Sequence, residues 1–156
     1  MSNYYATART SYTKVRDENK FKEWVDTLDA VLMDEDSEEH GKLYGMYFDG
    51  GDSRGIPEYQ TDEDGDYIED EDGDWVEFDI YKEIQPHLAD GWSITFMEVG
   101  AEKVNYLVGF AAIVTPTEIE KVLLRDIVTD KLEQLGSPLS TKCEYPLNVN
   151  TKEKKI

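Results

Sequence analysis

The sequence predicts an α+β fold: a mainly antiparallel sheet, two or three helices packed on one face of it, and an acidic β-meander. Three observations lead to this expectation. Segments rich in β-branched and aromatic residues are separated by turn residues, two other segments repeat apolar residues at helical spacing, and 156 residues suffice for one hydrophobic core. We expect one domain over residues 1–147 and a flexible tail over residues 148–156.

The N-terminal segment 3–15 is rich in Tyr and Thr, which predicts a strand. Residues 17–30 predict a helix, because four apolar side chains fall on one face and Asp17 can cap the first turn. These side chains are Phe21, Trp24, Val25 and Leu28. The next segments predict a short strand over 30–33, a polar loop over 34–41, a strand over 42–49 and a flexible turn over 50–57.

Residues 62–75 contain one short pattern twice: Asp-Glu-Asp-Gly-Asp followed by an aromatic residue recurs after eight residues. Asp-Gly between β-prone segments is typical of a tight turn. In residues 75–80 apolar and polar side chains alternate, which predicts a half-buried strand with an acidic outer face. We therefore expect residues 57–81 to form a meander of three strands joined by two acidic turns.

The second half of the chain predicts two helices around an apolar hairpin. Residues 80–91 favour a helix that Asp79 caps and Pro86 shortens or kinks. Residues 92–100 and 105–115 are apolar and β-prone, so we expect them to pair as a central hairpin.

Residues 117–136 favour a helix that opens with a Thr117–Glu120 capping box. An alternative remains open for this segment: a strand over 121–125 and a shorter helix from Asp126, because Val122-Leu123-Leu124 suits either structure.

The net charge of −19 is concentrated in the middle of the chain. Residues 1–16 have a charge of +3, residues 17–99 of −22 and residues 100–156 of zero, and residues 26–79 alone have −19. A localised excess indicates one acidic face or loop. Such a field repels nucleic acids and anionic membranes and attracts basic surfaces. The single Cys143 excludes an internal disulfide.

The residue patterns predict neither an enzyme nor a dedicated metal site. The chain contains no nucleophile-elbow, zinc-protease, P-loop or dinucleotide-binding motif. The acidic repeat lacks the Gly at position 6 and the Glu at position 12 of a calcium-binding EF-hand loop. We expect no catalytic residue, no metal ligand set and no cofactor. Two readings stay open beside a functional interface: a calcium-binding module and a general protein-interaction module whose acidic face is merely solvated.

The chain resembles the small acidic proteins with which phages and plasmids imitate DNA and block restriction or CRISPR enzymes. The resemblance rests on size, on a pI of about 4.3 and on an acid run within a globular domain that contains aromatic residues. Folds within this class are unrelated to one another, so no residue is assigned by alignment. The resemblance implies a non-enzymatic inhibitor in the cytoplasm of a bacterial host cell.

The expected partner is a basic, nucleic-acid-binding protein such as a restriction or CRISPR effector, with no direct binding of nucleic acid or membrane. The acidic repeat and the strand after it supply the candidate partner-binding residues, since aromatic side chains beside charges are typical of interface hot spots. They are Asp62, Glu63, Asp64, Asp66, Tyr67, Glu69, Asp70, Glu71, Asp72, Asp74, Trp75, Glu77 and Asp79. Tyr59 would add a further aromatic contact.

Overall fold

The computed structural model describes residues 4–48, 55–102 and 106–136, and it confirms the α+β class. The strands are β1 (Tyr4–Thr10), β2 (Val31–Ser37), β3 (Gly41–Phe48), β4 (Ile94–Glu102), β5 (Tyr106–Val114) and β6 (Ile119–Leu123). The helices are α1 (Glu18–Asp26), α2 (Ile80–Ile84) and α3 (Leu124–Gln134), and a 3-10 turn, Gln85–His87, follows α2. The predicted tail 148–156, Cys143 and most of the predicted turn 50–57 lie outside the described residues.

The six strands form one antiparallel sheet in the order β2-β3-β1-β4-β5-β6. Successive side chains along a strand point to opposite faces. One face, which we call the inner face, contributes the buried residues Ala8, Tyr44, Met46, Phe96 and Phe110 to the core. We call the opposite face the open face, since its apolar side chains remain exposed.

Two helices cover the inner face, and both begin at the residue that the sequence predicts. Asp17 caps α1 by accepting a hydrogen bond from the Lys20 N–H, and α1 buries Phe21 beside Tyr44. Asp79 caps α2 by accepting hydrogen bonds from the N–H groups of residues 81 and 82. The predicted shortening at Pro86 is confirmed, because α2 gives way to the 3-10 turn there.

The predicted polar loop over residues 34–41 is confirmed only for the turn at residues 38–40 and is wrong for residues 34–37 and 41. Residues 34–37 continue β2, which pairs with β3 from Val31↔Tyr47 to Ser37↔Gly41. β2 is an edge strand, and Asp34, Glu35 and Asp36 are exposed on it. Charged residues are common on edge strands because they discourage pairing with other chains. Because these residues are acidic, the apolar alternation that predicts a strand is absent from residues 34–37.

The predicted helix over 117–136 is wrong in its first third, and the alternative of a strand followed by a helix is right in kind. β6 pairs with β5 from Ile119↔Val114 to Leu123↔Phe110, and α3 begins at the next residue. The Thr117–Glu120 capping box is replaced by a turn in which the Thr115 hydroxyl accepts hydrogen bonds from the N–H groups of residues 117 and 118.

α3 lies over the open face at its start. A Cβ atom built on Gly109 would lie 3.0 Å from Leu124 Cβ, and Gly109 is on the open face because its neighbour Phe110 is on the inner one. The absence of a side chain at Gly109 thus lets the helix approach β5 closely. Of the helices in the described ranges, none has the length and apolar character needed to cross a membrane.

Candidate functional site

Residues 58–79 form a compact unit that we call the acidic module. The predicted meander of three regular strands is not what the chain forms here. Three short segments, 59–61, 67–69 and 75–77, are joined only by isolated bridges. Thr61 bridges to Tyr67, Glu69 to Trp75, and Glu77 back to Tyr59. The third bridge returns to the first segment, so the three segments close into a ring.

The backbone hydrogen bonds of the module close the same ring. The Ile68 N–H donates to the Gln60 carbonyl (3.0 Å), the Val76 N–H to the Ile68 carbonyl (2.9 Å), and the Gln60 N–H to the Val76 carbonyl (2.9 Å). Residues 60, 68 and 76 are eight positions apart, so each occupies the same place in its segment. The module therefore has approximate threefold symmetry with one donor and one acceptor contributed by each segment.

Three aromatic rings, one from each segment, contact one another beside this ring of hydrogen bonds. The ring centroids lie 5.6 Å apart for Tyr59 and Tyr67, 5.3 Å apart for Tyr59 and Trp75, and 4.5 Å apart for Tyr67 and Trp75. Such distances are favourable for aromatic pairs. Tyr67 and Trp75 are still 37% and 50% exposed, so the cluster both stabilises the module and presents an apolar surface between the acids.

The two acidic turns have the same geometry. Asp62 Oδ1 accepts hydrogen bonds from the N–H groups of Asp64 (2.9 Å) and Asp66 (3.0 Å). Asp70 Oδ1 accepts the equivalent bonds from Asp72 (2.9 Å) and Asp74 (3.0 Å). The first Asp of each repeat is therefore a structural residue that holds the turn, and the acids between it and the next segment are presented to solvent on a fixed backbone.

The backbone conformation of the two turns explains why each copy of the repeat contains a glycine. Gly65 and Gly73 have φ angles of 85° and 82°, in the left-handed region that a side chain disfavours. Each N–H donates to the carbonyl of the Asp three residues earlier, at 3.1 Å. Position 4 of the pattern, which does not match an EF-hand, is thus the position at which this turn needs glycine.

All thirteen predicted partner-binding residues are exposed. The structure brings them together on one module, including Asp79 at its end, where the carboxylate also caps α2. The range 62–79 contains eleven acids and no Lys or Arg. Within the described part of the chain, none of these eleven carboxylates forms an ion pair.

A cleft of about 200 Å³ separates the start of the module from the inner face of the sheet. Glu98 on β4 lies in this cleft, and its Oε1 accepts a hydrogen bond of 2.6 Å from the Ile56 N–H. Gly55 has no room for a side chain, since a Cβ there would collide with the Glu98 carboxylate. Lys121 on β6 lines the same cleft, with its Nζ 4.7 Å from the Tyr81 ring centroid. These contacts fix the residues on either side of the module against the sheet.

A second group of acids, on the edge strand β2, differs from the module because a cation lies among them. Lys42 Nζ lies 3.6 Å from Asp36 Oδ1 and 4.0 Å from Asp34 Oδ1. The carboxylate of Asp36, and then that of Asp34, raises the pKa of Lys42 above its usual value. The negative charge of β2 is thus partly neutralised, whereas the eleven acids of residues 62–79 form no ion pair within the described ranges.

In the described ranges, no group of three or more His, Cys, Asp or Glu side chains is arranged to hold a metal ion. The turn geometry gives a physical reason within the module. Asp62 Oδ1 and Asp70 Oδ1, the oxygens at the first position of each repeat, each accept two backbone hydrogen bonds.

The sequence interpretation recognised two copies of the repeat and missed the third. Glu58-Tyr59-Gln60-Thr61 supplies the first segment, although it shares only the acid at its start and the aromatic residue with the later copies. Aromatic residues at 59, 67 and 75, spaced by eight, were the available evidence.

Comparison of the chain with protein-family models, with curated proteins and with solved structures gave no match.

Proposed function

We propose that this protein is a non-enzymatic acidic inhibitor whose acidic module binds the basic nucleic-acid-binding surface of a bacterial defence nuclease or effector in place of DNA. The observation that carries the proposal is the construction of the module. Eleven acids that form no ion pair within the described ranges are held on one module, eight of them in two backbone-fixed turns, around an exposed aromatic cluster.

The charge of the module favours a cationic partner. A surface that binds DNA places Lys and Arg against closely spaced phosphates, and these contacts supply much of the affinity. The carboxylates of the module can occupy such a surface, because both groups accept charge-assisted hydrogen bonds from Lys and Arg. Attraction between the two fields would also speed their encounter, and this gain falls as salt increases.

The rigidity of the module favours binding over simple solvation. Because the Asp62 and Asp70 side chains and the two glycines fix the turns, little backbone freedom is lost when a partner binds. Trp75 and Tyr67 add exposed aromatic area next to the acids. An Arg side chain of a partner can stack on such a ring while its guanidinium donates to a nearby carboxylate.

The test is competition between this protein and labelled DNA for purified DNA-binding restriction and CRISPR effectors. Fluorescence anisotropy of the DNA, followed over a salt series from about 50 mM upwards, measures displacement. We expect at least one effector to release DNA, with inhibition that weakens as salt rises. Retention of DNA by every effector at low salt would contradict the proposal.

Two variants with the same net charge locate the interface. In the module variant, four acids that do not hold the turns are neutralised: Glu63→Gln, Asp64→Asn, Glu71→Gln and Asp72→Asn. In the control variant, four exposed acids of α1, α3 and the turn before β6 are neutralised: Glu23→Gln, Glu118→Gln, Asp130→Asn and Glu133→Gln. We expect inhibition to weaken at least about tenfold only in the module variant, since short-range contacts outweigh total charge. Equal loss in both would assign the effect to net charge alone.

A further inference from the structure

The open face of the sheet is predominantly apolar, and Arg9 on the central strand β1 interrupts it. Seven large apolar residues on the strands are between 38% and 65% exposed, and the register places every one of them on this face. They are Tyr5, Val31, Tyr47, Met97, Val99, Leu107 and Ile113. All the exposed large apolar residues of the described strands therefore lie on one side of the molecule.

The register shows that these residues are neighbours. One row crosses all six strands in the order Val31, Tyr47, Arg9, Met97, Ala111 and Val122. The next rows add Val99 beside Gly109 and Leu107 beside Ala101. Leu124, Ile127 and Val128 on α3, which approaches the open face at Gly109, are also exposed.

The face reaches the upper end of the apolar area that a monomer usually leaves exposed. Six strands about 4.8 Å apart, each roughly 25 Å long, give a face of about 600 Å². Soluble monomers rarely expose a contiguous apolar patch beyond about 300–600 Å². Two such faces together cover about 1,200 Å², which reaches the lower limit of a standard protein–protein interface.

We propose that the open face is the interface of a homodimer, in which two sheets pack face to face. The charge of the face favours a second copy over a charged partner. Its described strand positions contain only Arg9, Glu35 and Glu120 as ionisable acids and bases, so it is almost neutral on a chain of net charge −19. A neutral apolar face is complementary to itself, as a twofold interface requires.

This arrangement also keeps the acidic modules of the two copies apart. The acidic module lies on the inner side of its own sheet, where its cleft is lined by the inner-face residues Glu98 and Phe110. Packed sheets are about 10 Å apart, so two modules on the outer sides are separated by about three such layers, or about 30 Å. This separation exceeds the Debye length of about 8–10 Å at physiological salt, so repulsion between the modules is screened.

The test is the solution mass of the full chain by sedimentation velocity from about 1 to 100 μM. One chain has a mass of 17.9 kDa, and we expect the wild type to approach twice this mass. Val99→Lys places a charge in the middle of the face and is expected to give a monomer. The matched control Ile68→Lys introduces the same charge at an exposed aliphatic residue of the acidic module and should remain a dimer.

Circular dichroism establishes that each variant is folded, and Leu107→Lys replaces Val99→Lys if the latter unfolds. As a second readout, the Tm of the wild type should rise with protein concentration, because dissociation is coupled to unfolding. The proposal is overturned if the wild type stays monomeric to 100 μM, which would leave the face to a segment of the same chain or to another protein. It is also overturned if the folded Lys variants remain dimeric.

Discussion

The Tyr67 and Trp75 rings lie 4.5 Å apart between centroids, although the two residues belong to different copies of the repeat. Their contact joins the second and third segments of the acidic module, and Tyr59 joins both of them to the first. Carboxylates crowded on this module repel one another, so apolar contact among the rings has to offset that repulsion. The aromatic cluster therefore makes a dense acidic surface compatible with an ordered backbone.

Removal of one ring should loosen the whole module. We expect Trp75→Ala to destabilise it by about 1–2 kcal/mol, since two aromatic contacts and their burial are lost. Hydrogen exchange of the Ile68 and Val76 amides, which donate within the ring of segments, measures the effect. Trp75→Phe keeps an aromatic ring and should preserve most of the protection. Unchanged exchange in Trp75→Ala would contradict a stabilising role for the cluster.

The first Asp of each repeat should matter for stability, unlike the acids that follow it. Asp62→Ala removes the acceptor of two backbone N–H groups, which we expect to cost about 1 kcal/mol, as for loss of a helix cap. Asp64→Ala removes an exposed charge and leaves these bonds in place, so it should be neutral or slightly stabilising. Urea denaturation of the two variants provides the comparison, and equal effects would contradict it.

Glycine at the fourth position of the repeat should be replaceable only at a cost. In Gly73→Ala the left-handed φ of 82° is retained by an L-residue, and we expect a loss of about 1 kcal/mol. A Cβ there meets no atom within 4 Å, so backbone strain is the only penalty. Gly73→Asn should cost less, because Asn tolerates this conformation better. Thermal denaturation of both variants distinguishes strain from a steric clash, which would be worse for Asn.

His87 should make stability depend on pH. Its ring is stacked on Trp24 at 5.0 Å between centroids, and this burial lowers the pKa of His87 below its usual value, against the opposing effects of Glu83 and Asp17. The unfolded chain then binds the proton more tightly, so the free energy of unfolding is highest above about pH 6.5 and falls as the pH drops below it.

Urea denaturation between pH 7.5 and pH 5.5 measures this dependence, with a slope that stays below about 1.4 kcal/mol per pH unit for one proton. His87→Phe should flatten the curve over this range. His40→Gln, which leaves His87 and its stacking intact, should retain the wild-type slope attributable to His87. An unaltered slope in His87→Phe would assign the proton uptake elsewhere.

Calcium should not bind the acidic turns at a saturable site. In the described ranges no three carboxylates converge as ligands, and calcium needs six to eight oxygen ligands; one oxygen each of Asp62 and Asp70 is also engaged by the turns. Isothermal calorimetry with calcium is expected to show no saturation below millimolar concentration. A stoichiometric transition at micromolar calcium would contradict this expectation and would support the calcium-binding alternative.

The sequence predicts well those parts of the fold whose structure is determined by residues close together in the chain. Asp17 and Asp79 cap helices as expected, and the β4–β5 hairpin follows from two long apolar segments. β2 escaped prediction beyond Met33 because acidic residues on an edge strand need no apolar alternation. At β6 the sequence left a helix and a strand open, because Ile119 and Leu123 are spaced for a helix, and pairing with β5 decides for the strand.

The structure brings the thirteen candidate residues together, but the sequence did not predict the architecture of the module that holds them. The turns follow from Asp-Gly, a local preference, and all thirteen residues lie on one module as expected. The bridge between Tyr59 and Glu77 joins positions eighteen residues apart, and only tertiary structure reveals it. Without that bridge the three segments would form an open meander. With it, the third segment pairs with the first, and the three segments form a closed ring.

Closure fixes the size of the acidic module. In an open stack of repeats, an eight-residue unit can be gained or lost at the end, since the last copy always offers a free edge. Here the backbone N–H and carbonyl groups of Gln60, Ile68 and Val76 are all paired within one closed ring of hydrogen bonds. A fourth unit would have no free N–H or carbonyl group in this ring to pair with. With only two units, one N–H and one carbonyl group would be left without their partners. Substitutions can therefore alter the acids that do not hold the turns without changing this architecture, whereas the number of turns cannot change one copy at a time.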